Sequence, residues 1–197
     1  MAQDLIAVHS RLYPRTLAFQ VAAVLACVVG TALAAQVRIP LPFSPVPITL
    51  QTFAVLLGGA LLGPWAGAGA QALYLTCGAL GIPVFAASLS GLGGPTTGYL
   101  LAFPLAALVT GAAFRTHHTA LRIAGLVGAS ALILGLGAAW LALFTGKPLT
   151  AALALGVVPF LPGDALKATA VWMLAGLWQR AVASRRSVHL PVRKAGV

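Results

Sequence analysis

Asp164 and Lys167 are the sharpest chemical feature of this chain. They stand three residues apart inside an apolar run, so on a helix they share one face. Each costs about 2.5–3.5 kcal/mol at the centre of a membrane span, and ionisable residues kept there are as a rule functional. A carboxylate accepts N–H bonds, and an ammonium donates to a carbonyl or carboxylate. The pair therefore suits a small polar molecule with both donors and acceptors. The plainer reading is a mutual ion pair that fixes the last helix. Asp164 falls in the first turn expected of that helix, where the dipole favours an anion.

Arg38 is the second candidate. It precedes a proline-rich stretch, and if that stretch folds over a pocket, its guanidinium fork can hold a ligand carboxylate. As a bare surface arginine it would mean little. Thr49 and Gln51 are polar positions at the start of an apolar run, where bonding across helices is the common role. Tyr99 and Trp65 carry polar tips near expected membrane interfaces, where an aromatic belt is the plain reading.

Other chemistries are excluded by what is missing. No Gly-x4-Gly-Lys-Ser/Thr loop and no HExxH occurs, so neither phosphate-loop ATP hydrolysis nor that zinc chemistry is available. His117 and His118 have no acid nearby in the sequence, and the only other acid is Asp4. Catalysis by paired carboxylates is thereby excluded, and no enzyme activity, metal or cofactor is expected. Cys27 and Cys77 lie inside apolar runs and read as small packing residues.

The elements that must position these residues follow from composition. Of 197 residues, 60% are hydrophobic and 7% charged, with a mean hydropathy of +0.98. Soluble domains carry about 25% charged residues, and disorder needs low hydrophobicity. A membrane span takes about 20 apolar residues, so the chain has room for about six spans and no separate soluble domain. The net charge of +10 would suggest nucleic acid in a soluble chain. Here the basic residues sit at the ends of apolar runs, so membrane topology explains them and no nucleic-acid partner is expected.

The expected fold class is an all-α integral membrane bundle of six transmembrane helices, one domain over residues 1–197. The spans are read at 16–36, 48–63, 65–80, 98–114, 123–144 and 162–180. Ala32-Leu33-Ala34 resembles a signal-peptide cleavage site, but the first run is near spanning length and reads as a span. Between Pro40 and Pro47 four prolines in eight residues forbid a regular helix. Pro64 suits the first turn of the third span and Pro162 that of the sixth, and Pro104 reads as a kink. Leu149–Val158 is apolar but too short to span. Arg11, Arg15, Arg115, Arg122, Arg180, Arg185, Arg186, Arg193 and Lys194 fall on one side, and Arg38 and Lys147 on the other. This nine-to-two bias places both termini in the cytoplasm. It also places three irregular stretches, 37–47, 83–97 and 145–161, outside. Non-helical backbone is tolerated near a membrane only where protein or a cavity surrounds it, so these stretches suggest a lidded pocket opening outward.

The first span carries a different signal. Ala18, Ala22, Ala26, Gly30 and Ala34 repeat every fourth residue. Such a smooth face admits close approach of another helix, either inside the bundle or from a partner.

Together these motifs resemble the BioY family. The stretches that carry the likeness are Arg38-Ile39-Pro40 through Pro45-Val46-Pro47-Ile48-Thr49-Leu50-Gln51, Gly81-Ile82-Pro83-Val84-Phe85, Gly94-Pro95-Thr96-Thr97-Gly98-Tyr99, and Pro159-Phe160-Leu161-Pro162-Gly163-Asp164-Ala165-Leu166-Lys167. They come in the family order from the first loop to the last helix.

The resemblance implies a biotin-capturing S component of an energy-coupling-factor (ECF) transporter in the plasma membrane of a bacterium or archaeon. It implies, as partners, a transmembrane coupling protein and two ATPases of the ATP-binding-cassette type, with ATP used by those ATPases alone. Some members are thought to act without a dedicated coupling module. The resemblance implies that Asp164 and Lys167 hold the ureido ring of biotin, with Arg38 toward the valerate carboxylate and Tyr99 in the apolar wall. It also turns the small-residue face toward docking of a partner. One departure stands out: some members carry a polar amide in the third span, where this chain reads Tyr74-Leu75-Thr76-Cys77-Gly78-Ala79. Either backbone or Thr76 substitutes, or the ureido contacts are differently arranged. The competing expectations are an S component for another vitamin, a small intramembrane enzyme, and a channel or self-associating protein. A homo-oligomer is compatible with any of them.

Overall fold

The structure, a computed structural model, describes residues 17–86 and 92–187. Asp4, Arg11, Arg15, Thr16, Arg193 and Lys194 lie outside the described residues, as do the side chains of Arg185 and Arg186.

In chain order the elements are α1 (Leu17–Gln36), β1 (Arg38–Leu41), β2 (Ser44–Thr49), α2 (Gln51–Leu62), α3 (Pro64–Ala79), α4 (Thr97–Phe114), α5 (Thr119–Thr145), α6 (Leu149–Gly156), a 3-10 turn (Val158–Phe160) and α7 (Leu161–Ser187). All six expected helices are present, each within a few residues of its expected start. Two expectations are corrected. The stretch 37–47 is not an irregular loop but most of an antiparallel hairpin, paired Arg38 to Thr49, Ile39 to Ile48 and Leu41 to Ser44. Proline lacks an N–H and is accepted at sheet edges and bulges; in a two-stranded ribbon both strands are edges, and the register slips between Ile39 and Leu41, where Pro40 sits. The stretch 145–161 is largely helical, because ten apolar residues too few to span are still enough for the two turns of α6.

Helix α4 is the centre of the bundle. It packs against α5, α3 and α2 and buries Leu100, Phe103 and Phe114 together with Ala102, Ala106 and Ala107. It runs without interruption through Pro104. Small residues let the neighbours come close. A Cβ on Gly59 would strike the Ala107 backbone, and one on Gly111 would strike Gly63 and Pro64. Gly63 itself adopts φ 84 between α2 and α3, a conformation that favours glycine, and Pro64 opens α3 as expected.

Four helical segments are long and apolar enough to cross a bilayer: Leu17–Gln36, Thr97–Phe114, Thr119–Thr145 and Leu149–Val182. Helices α2 and α3, with 12 and 16 residues, are only about 18 and 24 Å long, against a hydrocarbon core of about 30 Å. Residues 48 and 49 belong to the hairpin instead of the expected second span. Exposed Leu80 and Ile82 extend the apolar surface beyond the end of α3.

Helix α1 lies at the edge of the bundle, against α2 and α3. Of its small-residue stripe, Ala34 is buried, whereas Ala18, Ala22, Ala26 and Gly30 are exposed. A Cβ on Gly30 would meet nothing. Internal packing therefore does not account for this face. Val28, Ala34 and Ala35 hold α1 by burial against the bundle, and a polar contact adds to this: Gln71 Nε2 on α3 donates to Thr31 Oγ1 at 3.1 Å, with Cys27 Sγ at 3.5 Å.

Candidate functional site

The starts of α2, α4 and α7 meet beneath the hairpin and the 82–86 turn. Between them lies a cavity open to solvent, enclosing about 530 Å³ of empty space when its mouth is included. Its walls are mostly apolar, with Val46, Phe85, Leu100, Phe103, Ile133 and Phe160 among them.

The polar end is built from α2 and α7. Lys167 Nζ lies 3.0 Å from Asp164 Oδ1 and donates to Thr52 Oγ1 at 2.9 Å. The Thr52 hydroxyl donates in turn to Asp164 Oδ1 at 3.3 Å. The three side chains close a ring, and all three line the cavity. Their side chains are largely shielded from water, Lys167 at 12% and Asp164 at 7% exposure, so the carboxylate and ammonium balance each other where water screens weakly. The described residues leave Asp164 Oδ2 without a hydrogen bond and one Lys167 N–H free for a ligand. Thr52 was missed at the level of sequence; its spacing to Asp164 is 112 residues, and a threonine in an apolar helix carries no local signal.

A second polar chain fixes the cap. Thr49 Oγ1 donates to Gln51 Oε1 at 3.1 Å, and Gln51 Nε2 donates to the Tyr74 hydroxyl at 2.6 Å. Tyr74 then donates to the Val84 carbonyl at 2.9 Å. Its ring meets Phe85 edge-on at 5.4 Å and stacks on Phe103 at 6.4 Å. Tyr74 thus ties the 82–86 turn to the helices through an otherwise buried path. Thr76, expected as one substitute for a third-span amide, is exposed and bonds the Ala72 carbonyl.

Tyr99 lines the cavity, and its hydroxyl donates to the Gly156 carbonyl at 2.8 Å. It presents a ring to the cavity, not a free polar group. Gly137 and Gly156 make room for it, since a Cβ on either would collide with Tyr99. Arg38 is exposed and is not a lining residue; its Nη1 donates to the carbonyl of Ala86, which does line the cavity. Ser44 Oγ donates to the Leu155 carbonyl at 2.9 Å and pins the hairpin to α6. Trp65 is 74% exposed, away from the site. Among the described residues no cluster of His, Cys, Asp or Glu could hold a metal.

Fold and site together define a multi-pass membrane protein with a mostly apolar cavity, polar at one end, under a β-hairpin cap. The BioY family model matches residues 8–184. The probable biotin transporter BioY of Pyrococcus horikoshii is 38% identical over 148 residues, covering 74% of this chain and 86% of that protein. The biotin transporter BioY of Rhodobacter capsulatus is 38% identical over 171 residues, covering 79% and 87%. A crystal structure of the S component for biotin from an ECF-type ABC transporter superposes with a TM-score of 0.73 at 24% identity, over 85% of this chain and 95% of that one. The chain belongs to the BioY family.

Proposed function

We propose that this protein captures biotin at the outer face of the plasma membrane and serves as the substrate-specific S component of an ECF transporter. The observation that carries this reading is the Thr52–Asp164–Lys167 ring at one end of an apolar, capped cavity. Biotin has a ureido group with two N–H donors and one carbonyl, fused to an apolar thiophane ring. Asp164 accepts a ureido N–H, and Lys167 donates to the ureido oxygen. Phe85, Phe103, Phe160 and the ring of Tyr99 enclose the thiophane ring. The nine-to-two distribution of basic residues supports an outward-facing pocket with cytoplasmic termini.

The exposed Ala18, Ala22, Ala26 and Gly30 face supports docking of a transmembrane coupling protein, with a pair of ABC-type ATPases supplying the energy. Relatives named as transporters support transport over catalysis.

Equilibrium binding of labelled biotin to the detergent-purified chain tests the reading. Saturable binding is expected, with a loss of at least about a hundredfold in Asp164→Asn, because removing one member of a buried pair strands the other. No saturable binding by folded protein would remove biotin as the ligand.

A further inference from the structure

The ureido end of the cavity is rich in polar atoms, and the other end has no charge to offer. Of the lining residues, only Asp164 and Lys167 are charged, and they are paired with each other. From Ile39 to Phe114 the sequence contains no Asp, Glu, Lys, Arg or His. That interval supplies most of the hairpin, all of α2 to α4 and the whole 80–96 connection. Arg38 donates to the Ala86 carbonyl and is not itself a lining residue. Lys147, exposed at the junction of α5 and α6, is not a lining residue. The remaining lining hydroxyls and amides are neutral, and those of Gln51 and Tyr99 are already engaged within the protein.

A carboxylate withdrawn from water without a cation is strongly disfavoured. A ligand whose ring sits on Asp164 and Lys167 therefore keeps its tail carboxylate hydrated at the mouth. At a hydrated mouth, water can serve a carboxylate and an amide carbonyl alike, and the lining supplies no cation there that would favour the acid by an ion pair.

From this we infer that the pocket recognises the ureido-ring end alone, and that biotin derivatives capped at the carboxyl are ligands as good as biotin. The substrate class is then ureido-thiophane compounds with a free or amide-linked tail, including biotin joined to the side-chain amine of lysine. The inference rests on the biotin reading above.

Competition against labelled biotin on the full chain in detergent tests it, with biotin, biotinamide and Nε-biotinyl-lysine as competitors. All three affinities are expected to agree within about tenfold, and their ratios to stay the same between low and high salt. Asp164→Asn should weaken all three together. Biotin that binds while biotinamide is more than about tenfold weaker overturns the inference and leaves the biotin reading intact. If Arg38→Gln or Lys147→Gln closes such a gap, the carboxylate sits on that cation. Failure of biotin itself to bind overturns the biotin reading and the inference with it.

Discussion

Thr52 is the residue on which the geometry of the polar end turns. Its hydroxyl accepts from Lys167 and donates to Asp164, so it holds both charges in register across the gap between α2 and α7. In Thr52→Val the direct ion pair remains but its brace is gone. Biotin affinity is expected to fall about tenfold, the scale of one hydrogen bond to a charged group, and Thr52→Ser should restore most of it in the same equilibrium assay. Asp164 and Lys167 were legible in the sequence because charge in an apolar run is costly and therefore conspicuous. Thr52 was not, since what marks it is proximity to residues far along the chain. Arg38 lies in β1 of the hairpin, and its side chain engages the Ala86 carbonyl; no local pattern encodes that choice. Tyr99 was legible as a wall residue, while its hydroxyl contact with Gly156 depends on a helix that the sequence reading did not place.

Among the elements, the hairpin and the 82–86 turn form the cap, and Tyr74 is their anchor. Tyr74→Phe leaves the buried Gln51 amide and the Val84 carbonyl without their partner. It is expected to destabilise the protein by about 1–3 kcal/mol, read as a lower melting temperature in detergent, and to weaken biotin binding. Gly156→Ala acts from the opposite side by pushing a methyl into the Tyr99 hydroxyl. Overpacking of this kind costs about 1–3 kcal/mol, and added biotin should recover part of the loss in the melting curve, since ligand stabilises the folded form. The six helices were readable from length, hydropathy and proline placement. The hairpin was not, because proline counts exclude helix without choosing between loop and edge strand. Helix α6 escaped because spanning length was the criterion, and a helix inside a membrane protein need not span.

At the scale of the whole molecule, α1 joins the bundle through one buried face, including Val28, Ala34 and Ala35, and a polar clasp at Gln71, while Ala18, Ala22, Ala26 and Gly30 are exposed. A double substitution Ala22→Leu and Ala26→Leu should roughen that face without touching the cavity. Biotin affinity of the isolated chain is expected to be unchanged, whereas co-purification with the coupling protein should be lost; intact assembly would move the docking surface elsewhere. The sequence revealed the periodic stripe, but only the arrangement of helices shows that the bundle leaves most of it uncovered. The Asp164–Lys167 pair has a consequence at this same scale. With its two charges cancelling, the pair itself contributes no net charge movement when the binding site changes sides. Loaded with biotin, the site carries one negative charge toward a negative interior, against about 2.3 kcal/mol per 100 mV. Uptake of the acid is then electrogenic and slowed by membrane voltage, while uptake of a neutral biotin amide through the same pocket is indifferent to it.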